Sequence, residues 1–238
     1  MNNAGHDSMG DLIGSYTLSL NAQLRVFEEG FVVSRRLGRD LANRYSQVGE
    51  IAVALGLRIR HEAEVGSVVT QSTWTVRLLA GAQEPITLNL VAPPVRTLAR
   101  DFFRYGIRRD VRQSLTSTLV EHITDRVALA QLPRALATVS AGGAVDFGVI
   151  TVTPDGLVHV EAGLLPWREF VEMDVMNYYD TQPPKAHGGT VALTVRNSAD
   201  GRVSRIHVPS DRIVNLATLQ RLCAELGPAA SGGPDEAG

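Results

Sequence analysis

Short runs of β-branched and alternating residues fill the second half of the chain, and turn residues separate them. Residues 145–152, VDFGVITV, are rich in valine and isoleucine, and residues 157–161, LVHVE, alternate apolar and polar positions. Between them, TPDG at residues 153–156 supplies the proline, aspartate and glycine that start and close a turn. This spacing predicts a β-hairpin.

Further strand-like runs follow along the chain. Residues 170–179, FVEMDVMNYY, alternate again, and TVALTVR at 190–196 and RVSRIHV at 202–208 flank the turn sequence NSADG. The last two runs predict a second hairpin. Residues 181–189, TQPPKAHGG, hold two prolines that lack an N–H and two glycines that are costly to order. We expect a mobile surface loop there.

An amphipathic helix follows Pro209 and ends at Gly227-Pro228. Its apolar residues recur at helical spacing. They are Ile213, Leu216, Leu219, Leu222, Cys223 and Leu226. Several antiparallel strands and one closing helix predict a small barrel or half-barrel that the helix plugs.

The first half repeats this layout of strand-like runs, turns and a helical segment. Residues 29–33, EGFVV, align with residues 155–159, DGLVH. We therefore predict an internal duplication of about 100 residues per unit, with a helix through residues 118–139. The predicted domains are a disordered N terminus at 1–13, a first unit with an arginine-rich helical segment at 14–117, a linking helix at 118–143, a second unit at 144–227 and a disordered tail at 228–238.

Several short motifs occur in order through the second half. They are Leu132-Pro133-Arg134-Ala135, Gly143, Val145-Asp146-Phe147-Gly148, Asp155-Gly156-Leu157, Leu165-Pro166-Trp167 and the helix from Pro209 to Leu226. Together they resemble a family of uncharacterised bacterial proteins whose halves are similar to pleckstrin-homology-like (PH-like) barrels. The likeness covers most of residues 15–226 and is strongest over 132–226.

The resemblance implies a fold and no activity. The expected class is α+β, with two tandem PH-like antiparallel β-barrels or half-barrels, each closed by a C-terminal helix, and a helical linker. The first half departs from the family pattern at two places. Tyr45-Ser46 stands where Pro166-Trp167 would, and residues 95–117 look like additional helix.

The Pro166-Trp167 corner is predicted to be structural. In this topology the proline stops an edge strand, and the tryptophan turns under the barrel and seats the next strand. The alternative is a tryptophan that stacks on a ligand. Trp74, which opens the run WTVRLL, is likewise expected in the core.

Composition adds little to this picture. The net charge of −2 gives no overall attraction to nucleic acid or anionic membranes. Residues 1–144 carry 16 basic and 13 acidic side chains, a net +3, and residues 145–238 carry 7 and 12, a net −5. Opposite charges of this kind can help the two halves dock.

The compartment is expected to be the cytoplasm. Cys223 is the only cysteine, so an intrachain disulfide is impossible and a reducing environment is the natural reading. The N terminus lacks the basic and apolar regions of a secretory signal. The longest apolar run, residues 51–57, is far shorter than the ~20 residues that a membrane span needs.

Motifs for catalysis or cofactor binding do not occur. The sequence has no GxxxxGK[ST], GxGxxG, HExxH or GxSxG pattern. His61-Glu62-Ala63-Glu64 and the pair His159 and Glu161 are interpreted as solvent-facing strand residues rather than metal ligands. Cys223 faces the core on the predicted helix and should be inert. We expect no enzyme activity, no cofactor and no metal.

One basic segment stands out between residues 95 and 112, and we name it the arginine-rich segment. Arginines recur there every four residues, aromatic residues are interleaved, and six arginines against two aspartates give +4. Candidate surface residues are Arg96, Arg100, Arg104, Arg108, Arg109, Arg112, Phe102 and Phe103. A basic amphipathic helix of this kind can be a solvated face, can bind an acidic protein surface, or can lie on an anionic bilayer. No nucleic-acid motif accompanies it, so nucleic acid is not expected as a partner.

The sequence therefore predicts a non-enzymatic binding module, with protein–protein interaction as the leading function. The partner is an unknown protein, and a second copy of the chain is one candidate. The alternative is peripheral membrane association through the arginine-rich segment, although the first hairpin turns, FEEG and TPDG, are acidic and argue against an inositide site. A weaker possibility is a small-molecule pocket between the halves near residues 181–189, with Lys185 and His187 as polar contacts.

Overall fold

The computed structural model describes residues 9–19, 22–36, 40–62, 66–80, 85–92, 97–98, 115–176 and 189–227. Over these residues the chain is mainly antiparallel β-sheet with two α-helices, an α+β arrangement. The alternating runs of the sequence form strands because alternate residues point to opposite faces of a sheet. One face of each sheet is then buried.

Two antiparallel sheets form the first unit. The first has the strand order β1-β2-β3-β4, with β1 (Leu12–Ser19), β2 (Ala22–Phe27), β3 (Gly30–Arg35) and β4 (Leu41–Arg44). The second has the order β5-β6-β7, with β5 (Val48–Glu62), β6 (Gly66–Ala80) and β7 (Ile86–Ala92), and β8 (Thr97–Leu98) pairs with β6. Their facing sides share one core that includes Leu24, Phe31, Val76, Leu78, Leu88 and Leu90.

The second unit has the same sequence of elements. Its first sheet has the order β12-β11-β10-β9, with β9 (Val145–Asp146), β10 (Ile150–Thr153), β11 (Gly156–His159) and β12 (Gly163–Pro166). Its second sheet has the order β13-β14-β15, with β13 (Phe170–Met176), β14 (Thr190–Arg196) and β15 (Val203–Pro209). In both units a meander of four strands is followed by a meander of three, and in the first unit β8 adds a fourth strand to the second sheet.

The hairpin glycines show that this repeat extends to backbone geometry. Gly30 pairs with Arg44 and Gly156 pairs with Pro166. A Cβ on Gly30 would lie 2.4 Å from the carbonyl oxygen of Asn43, and a Cβ on Gly156 would lie 2.2 Å from that of Leu165. Neither turn has room for a side chain, so both units need glycine at the same place.

A single 3₁₀ turn joins the two sheets of each unit, over Tyr45–Gln47 and Trp167–Glu169. The backbone N–H of Tyr45 donates to Glu29 and that of Trp167 donates to Asp155, both at 3.1 Å. Tyr45 is therefore the counterpart of Trp167. The predicted alignment of Tyr45-Ser46 with Pro166-Trp167 is wrong by one residue.

The aromatic residue at each turn donates a side-chain hydrogen bond to a backbone carbonyl of the preceding sheet. Tyr45 Oη donates to the carbonyl of Phe27 at 2.8 Å, and Trp167 Nε1 donates to that of Thr153 at 3.1 Å. Trp167 also packs edge-on against Phe170, the first residue of β13, with ring centroids 5.7 Å apart. The Pro166-Trp167 corner is thus structural, since it ends β12 and seats the next strand.

The linking helix α1 (Leu115–Ser140) belongs to both cores. Its buried residues recur every four positions, and each step exceeds a 3.6-residue turn by about 40°. The row therefore turns by about 200° over five steps, and its first part packs into the first core while its last part packs into the second. The row consists of Leu119, Ile123 and Val127 in the first core, half-buried Gln131, and Ala135 and Val139 in the second.

The second helix, which we name the closing helix α2 (Leu216–Leu226), packs its apolar residues into the core of the second unit, as their spacing predicts. Leu219, Leu222 and Cys223 are buried in the second core. Among the described residues, no helix is both long and apolar enough to cross a membrane.

Neither unit closes into a barrel by strand pairing within the described ranges. In the first unit, the closest approach to closure is a side-chain bridge, in which the hydroxyl of Tyr16 on β1 accepts from Val91 N–H on β7 at 2.8 Å. In the second, an isolated bridge joins Gly148 to Ile213. The closed barrels allowed by the sequence reading are not found, and the sheets are open.

Candidate binding cleft

The two units meet at Asn215, the residue before the closing helix. Its backbone is left-handed, with φ 53°, a conformation that asparagine tolerates better than most residues. Its N–H donates to Ile51 O at 2.7 Å, its Oδ1 accepts from Ile51 N–H at 2.8 Å, and its Nδ2 donates to Gly49 O at 3.0 Å. A residue at this position usually caps its own helix, whereas this amide binds the start of β5 in the other unit.

Gln131 of the linking helix completes the junction. Its Nε2 lies 3.1 Å from Gly49 O and 3.2 Å from Asn215 Oδ1, and its Oε1 accepts from Thr218 Oγ1 at 2.7 Å. We name Gly49, Ile51, Gln131, Asn215 and Thr218 the polar clasp. Because polar groups are costly to bury without partners, a fully bonded set of this kind fixes one arrangement of the units.

A cleft of about 650 Å³ lies beside the polar clasp. Its walls come from β5 and β6 of the first unit, the linking helix, the end of β13 and the closing helix. Ligand sites in proteins are typically mostly apolar clefts of about 300–1,000 Å³, and the size and lining of this cleft fit that class. The apolar lining includes Ile51, Val53, Val120, Val175, Ile213 and Leu216.

Two polar atoms in the cleft walls have no partner. Trp74 Nε1 and His122 Nε2 are buried, and neither has a hydrogen-bond partner among the described residues. A buried tryptophan N–H usually finds an acceptor, and each unsatisfied group costs about 1–3 kcal/mol. The walls therefore hold hydrogen-bonding capacity that the described residues leave unused.

The charged side chains at the cleft are acidic. Glu121 and Asp125 stand four residues apart on the linking helix, so they share a face. Asp125 forms an ion pair with Arg221 of the closing helix, whereas Glu121 has no ion-pair partner in the described part of the chain. No described lining residue is lysine or arginine, so the described lining offers an anionic ligand no such counter-charge.

A second cavity, of about 430 Å³, is lined by the polar clasp itself together with Glu50, Arg134 and Asp146. The clasp amides in its walls are bonded to one another. Asp146 is also engaged, since its Oδ1 accepts from Gly148 N–H at 2.8 Å. The described walls of this cavity contain no buried polar side-chain atom without a partner. The larger cleft is therefore the better candidate for a binding site.

The structure does not describe the residues that the sequence singled out as a surface. Arg96, Arg100, Arg104, Arg108, Arg109, Arg112, Phe102 and Phe103 are all outside the described residues. Lys185 and His187 of the predicted pocket also lie outside them, as does the rest of residues 181–188. Gly189, the last residue of that predicted loop, is described and lines the cleft.

His159 differs from its expected place. It was predicted to face solvent, but it is 7% exposed, and its Nδ1 accepts from the N–H groups of Glu161 and Ala162 at 3.3 and 3.1 Å. The imidazole therefore stabilises the turn between β11 and β12. No group of three or more potential metal ligands occurs among the described residues.

Two titratable groups are buried in the cores. Burial raises the pKa of the Cys223 thiol to about 12. Burial also raises the pKa of the Tyr45 hydroxyl above its usual range, and the charge of Arg126 opposes this only in part. Both groups are therefore neutral near pH 7, and Cys223 has little thiolate with which to react.

Sequence reasoning missed the two residues that distinguish the cleft. Trp74 was expected in the core, and it does pack against the first core, but it also lines the cleft. His122 stands next to the buried Ile123 of the linking helix, and its ring lies 6.0 Å from that of Tyr45. Helical spacing places His122 at the edge of an apolar face, but no local signal shows that its Nε2 lacks a partner.

No family model matches the chain, and no curated protein matches it.

Proposed function

We propose that the protein is a non-enzymatic binding module that engages another protein through the cleft between its two units. The observation that carries the proposal is the cleft of about 650 Å³, with aliphatic walls and two buried polar atoms that have no hydrogen-bond partner among the described residues. A partner segment that entered it would bury apolar surface, at about 25 cal/mol per Å². It would also offer hydrogen bonds to groups that have none.

The chemistry of the described lining residues fits recognition. The Thr124 hydroxyl is occupied, since it donates to Val120 O at 2.6 Å. The only thiol in the chain, Cys223, is buried in the second core with its pKa raised to about 12. The polar clasp supports the same function, because it holds the two walls of the cleft in one arrangement before a partner arrives, and preorganisation lowers the cost of binding.

Two further parts of the proposal concern fold and compartment. We propose that each unit is a PH-like half-barrel, which the repeated order of a four-strand meander, a 3₁₀ turn and a three-strand meander supports. A cytoplasmic location is proposed because a chain with one cysteine forms no intrachain disulfide. Membrane association through the arginine-rich segment stays a prediction, since its arginines and phenylalanines lie outside the described residues. Thr97–Leu98 within it form a strand and not the predicted helix, because they pair with β6.

A pair of alanine substitutions on the closing helix tests the proposal. Ala217 lines the cleft and is half-buried, whereas Ala224 is exposed on the same helix and is not part of the cleft lining. Ala217→Trp should fill the cleft, and Ala224→Trp is the matched control. Circular dichroism and thermal melting establish that both variants are folded.

The probe is a displayed library of random 12-residue peptides selected on the wild-type protein. We expect the selected peptides to bind wild type and A224W alike and to bind A217W about tenfold more weakly or worse, a difference of ~1.4 kcal/mol. Equal binding to A217W would remove the cleft from the proposal. A selection that yields no peptide above background would remove peptide recognition.

A further inference from the structure

The mouth of the cleft carries one negative charge, that of Glu121, which no described residue neutralises. Glu121 is exposed on the linking helix and lines the cleft. Asp125, one turn further on, is neutralised by Arg221. Among the described residues Glu121 has no such partner, and none of the described lining residues is lysine or arginine. A bound segment that brings a basic residue to Glu121 would form a second ion pair, one helical turn from the pair of Asp125 and Arg221.

The rest of the described cleft lining suits apolar groups and a hydrogen-bond acceptor. Ile51, Val53 and Ile213 are aliphatic and line the same cleft. Trp74 adds an N–H, which can only donate a hydrogen bond. Main-chain carbonyls are the acceptors that every peptide carries, and side-chain rotations commonly accompany binding. A rotation of the indole that brought its N–H to such a carbonyl would remove the cost of leaving it unpaired.

We infer that the cleft recognises an apolar peptide segment with a flanking arginine or lysine, which it holds through the aliphatic walls, the Trp74 N–H and the Glu121 carboxylate. This inference rests on the proposed function and names the chemistry of the segment that the cleft takes. Acidic segments are excluded by the same residues, because they would meet Glu121 with no lysine or arginine beside it in the described lining.

The test uses four blocked hexapeptides and isothermal titration calorimetry on the full chain. Three contain the same leucine pair and differ only in a flanking arginine, glutamine or glutamate, and the fourth has the arginine but two serines in place of the leucines. We expect affinity to fall in the order arginine, glutamine, glutamate, with the serine peptide weakest. The arginine peptide should bind about threefold to fivefold more tightly than the glutamine peptide, as expected for an exposed ion pair.

Variants assign the preference to residues. Glu121→Gln should abolish the preference for arginine over glutamine, while Glu225→Gln, at an exposed glutamate outside the cleft lining, should keep it. Trp74→Phe keeps an aromatic ring but removes the N–H, and it should weaken both the arginine and the glutamine peptide by about threefold to tenfold. In Trp167→Phe, Trp74 is the only tryptophan left, so its fluorescence should change on binding.

The outcomes separate the inference from the function on which it rests. If the leucine peptides bind with A217W-sensitive affinity but without preference among arginine, glutamine and glutamate, the cleft stands and the inference is overturned. A preference that survives in E121Q, or affinities unchanged in W74F, overturns it as well. If none of the four peptides binds wild type, the proposed function itself falls.

Discussion

The first and second units share one order of elements, but they bury the aromatic residue at the turn between their sheets to different extents. Each joins its two sheets at a 3₁₀ turn that begins with an aromatic residue, and each aromatic donates from its polar tip to the preceding sheet. Tyr45 is only 3% exposed, and its ring contacts His122 of the linking helix. Trp167 is half-buried and packs against Phe170 of its own unit.

The difference between Tyr45 and Trp167 shows which side-chain properties the fold requires at this turn and which can vary. The fold requires a flat apolar side chain with one donor, because the donor must satisfy a strand carbonyl while the ring covers the core. The covering element sets the size: at Tyr45 the linking helix lies over the corner, whereas Trp167 keeps a solvent-facing side. Different aromatic residues therefore occupy the same turn position, because the turn geometry is the same in both units but the elements that pack over it differ.

The largest expected effect concerns the turn glycines. Gly30→Ala and Gly156→Ala should each lower the free energy of unfolding by about 3 kcal/mol, because the new Cβ would overlap a strand carbonyl and the backbone must shift. Gly49→Ala is the control, since its Cβ would meet nothing closer than 3.7 Å. Denaturant unfolding measures all three. If one glycine tolerates alanine and the other does not, the repeat does not extend to backbone geometry.

The polar clasp should be the next most sensitive region. Asn215→Ala removes three side-chain hydrogen bonds and leaves the buried Ile51 N–H without this acceptor, so we expect a loss of about 2 kcal/mol in unfolding free energy. Asn215→Gly keeps the left-handed backbone but not the amide, and Asn215→Asp keeps an acceptor but not the donor to Gly49. A graded loss, with aspartate the mildest, is the expected result.

A second readout of the same variants concerns cooperativity. Wild type should unfold in one transition, and N215A should separate the unfolding of the two cores when tryptophan fluorescence is followed in single-tryptophan variants. Trp74 reports on the first core and Trp167 on the second. Coincident transitions at wild-type stability in N215A would show that the clasp does not couple the units.

A smaller effect would sharpen the comparison of the two corners. Tyr45→Phe deletes one buried hydrogen bond and should cost about 1 kcal/mol in unfolding free energy. Trp167→Phe should cost less than about 1 kcal/mol, because water can reach this half-buried corner and replace part of the lost bond. Thermal melting of both variants checks the order. The reverse order would contradict the account of the linking helix as the cover over Tyr45.

The smallest effect at neutral pH is expected at Cys223. A thiol reagent should not label the native protein at pH 8, because the pKa of this buried thiol is raised to about 12. The folded state holds this proton more tightly than the unfolded state, whose pKa is near 9.0. Stability should therefore fall as pH rises from about 9 to 12. Cys223→Ala should weaken this fall in stability. Rapid labelling of the native wild-type protein would contradict the burial of the thiol.

Local pattern in the sequence determined the elements of the fold. Period-two alternation marks β13, the spacing of Leu219, Leu222 and Cys223 marks the closing helix, and Gly156 marks a turn that admits no side chain. These signals are readable because they depend on neighbours within a few residues. The repeat follows from them, since the same signals recur in the first half.

Packing between distant parts of the chain decided the rest. Asn215 bonds to Ile51 across 164 residues of sequence, and no local rule indicates that its amide leaves its own helix for another unit. His159 is buried because its Nδ1 accepts from a turn, although its strand alternates as an exposed residue would. Trp74 and the cleft it lines depend on how two sheets and two helices meet. Periodicity specifies which face of an element is apolar, but only the assembled structure specifies what that face meets.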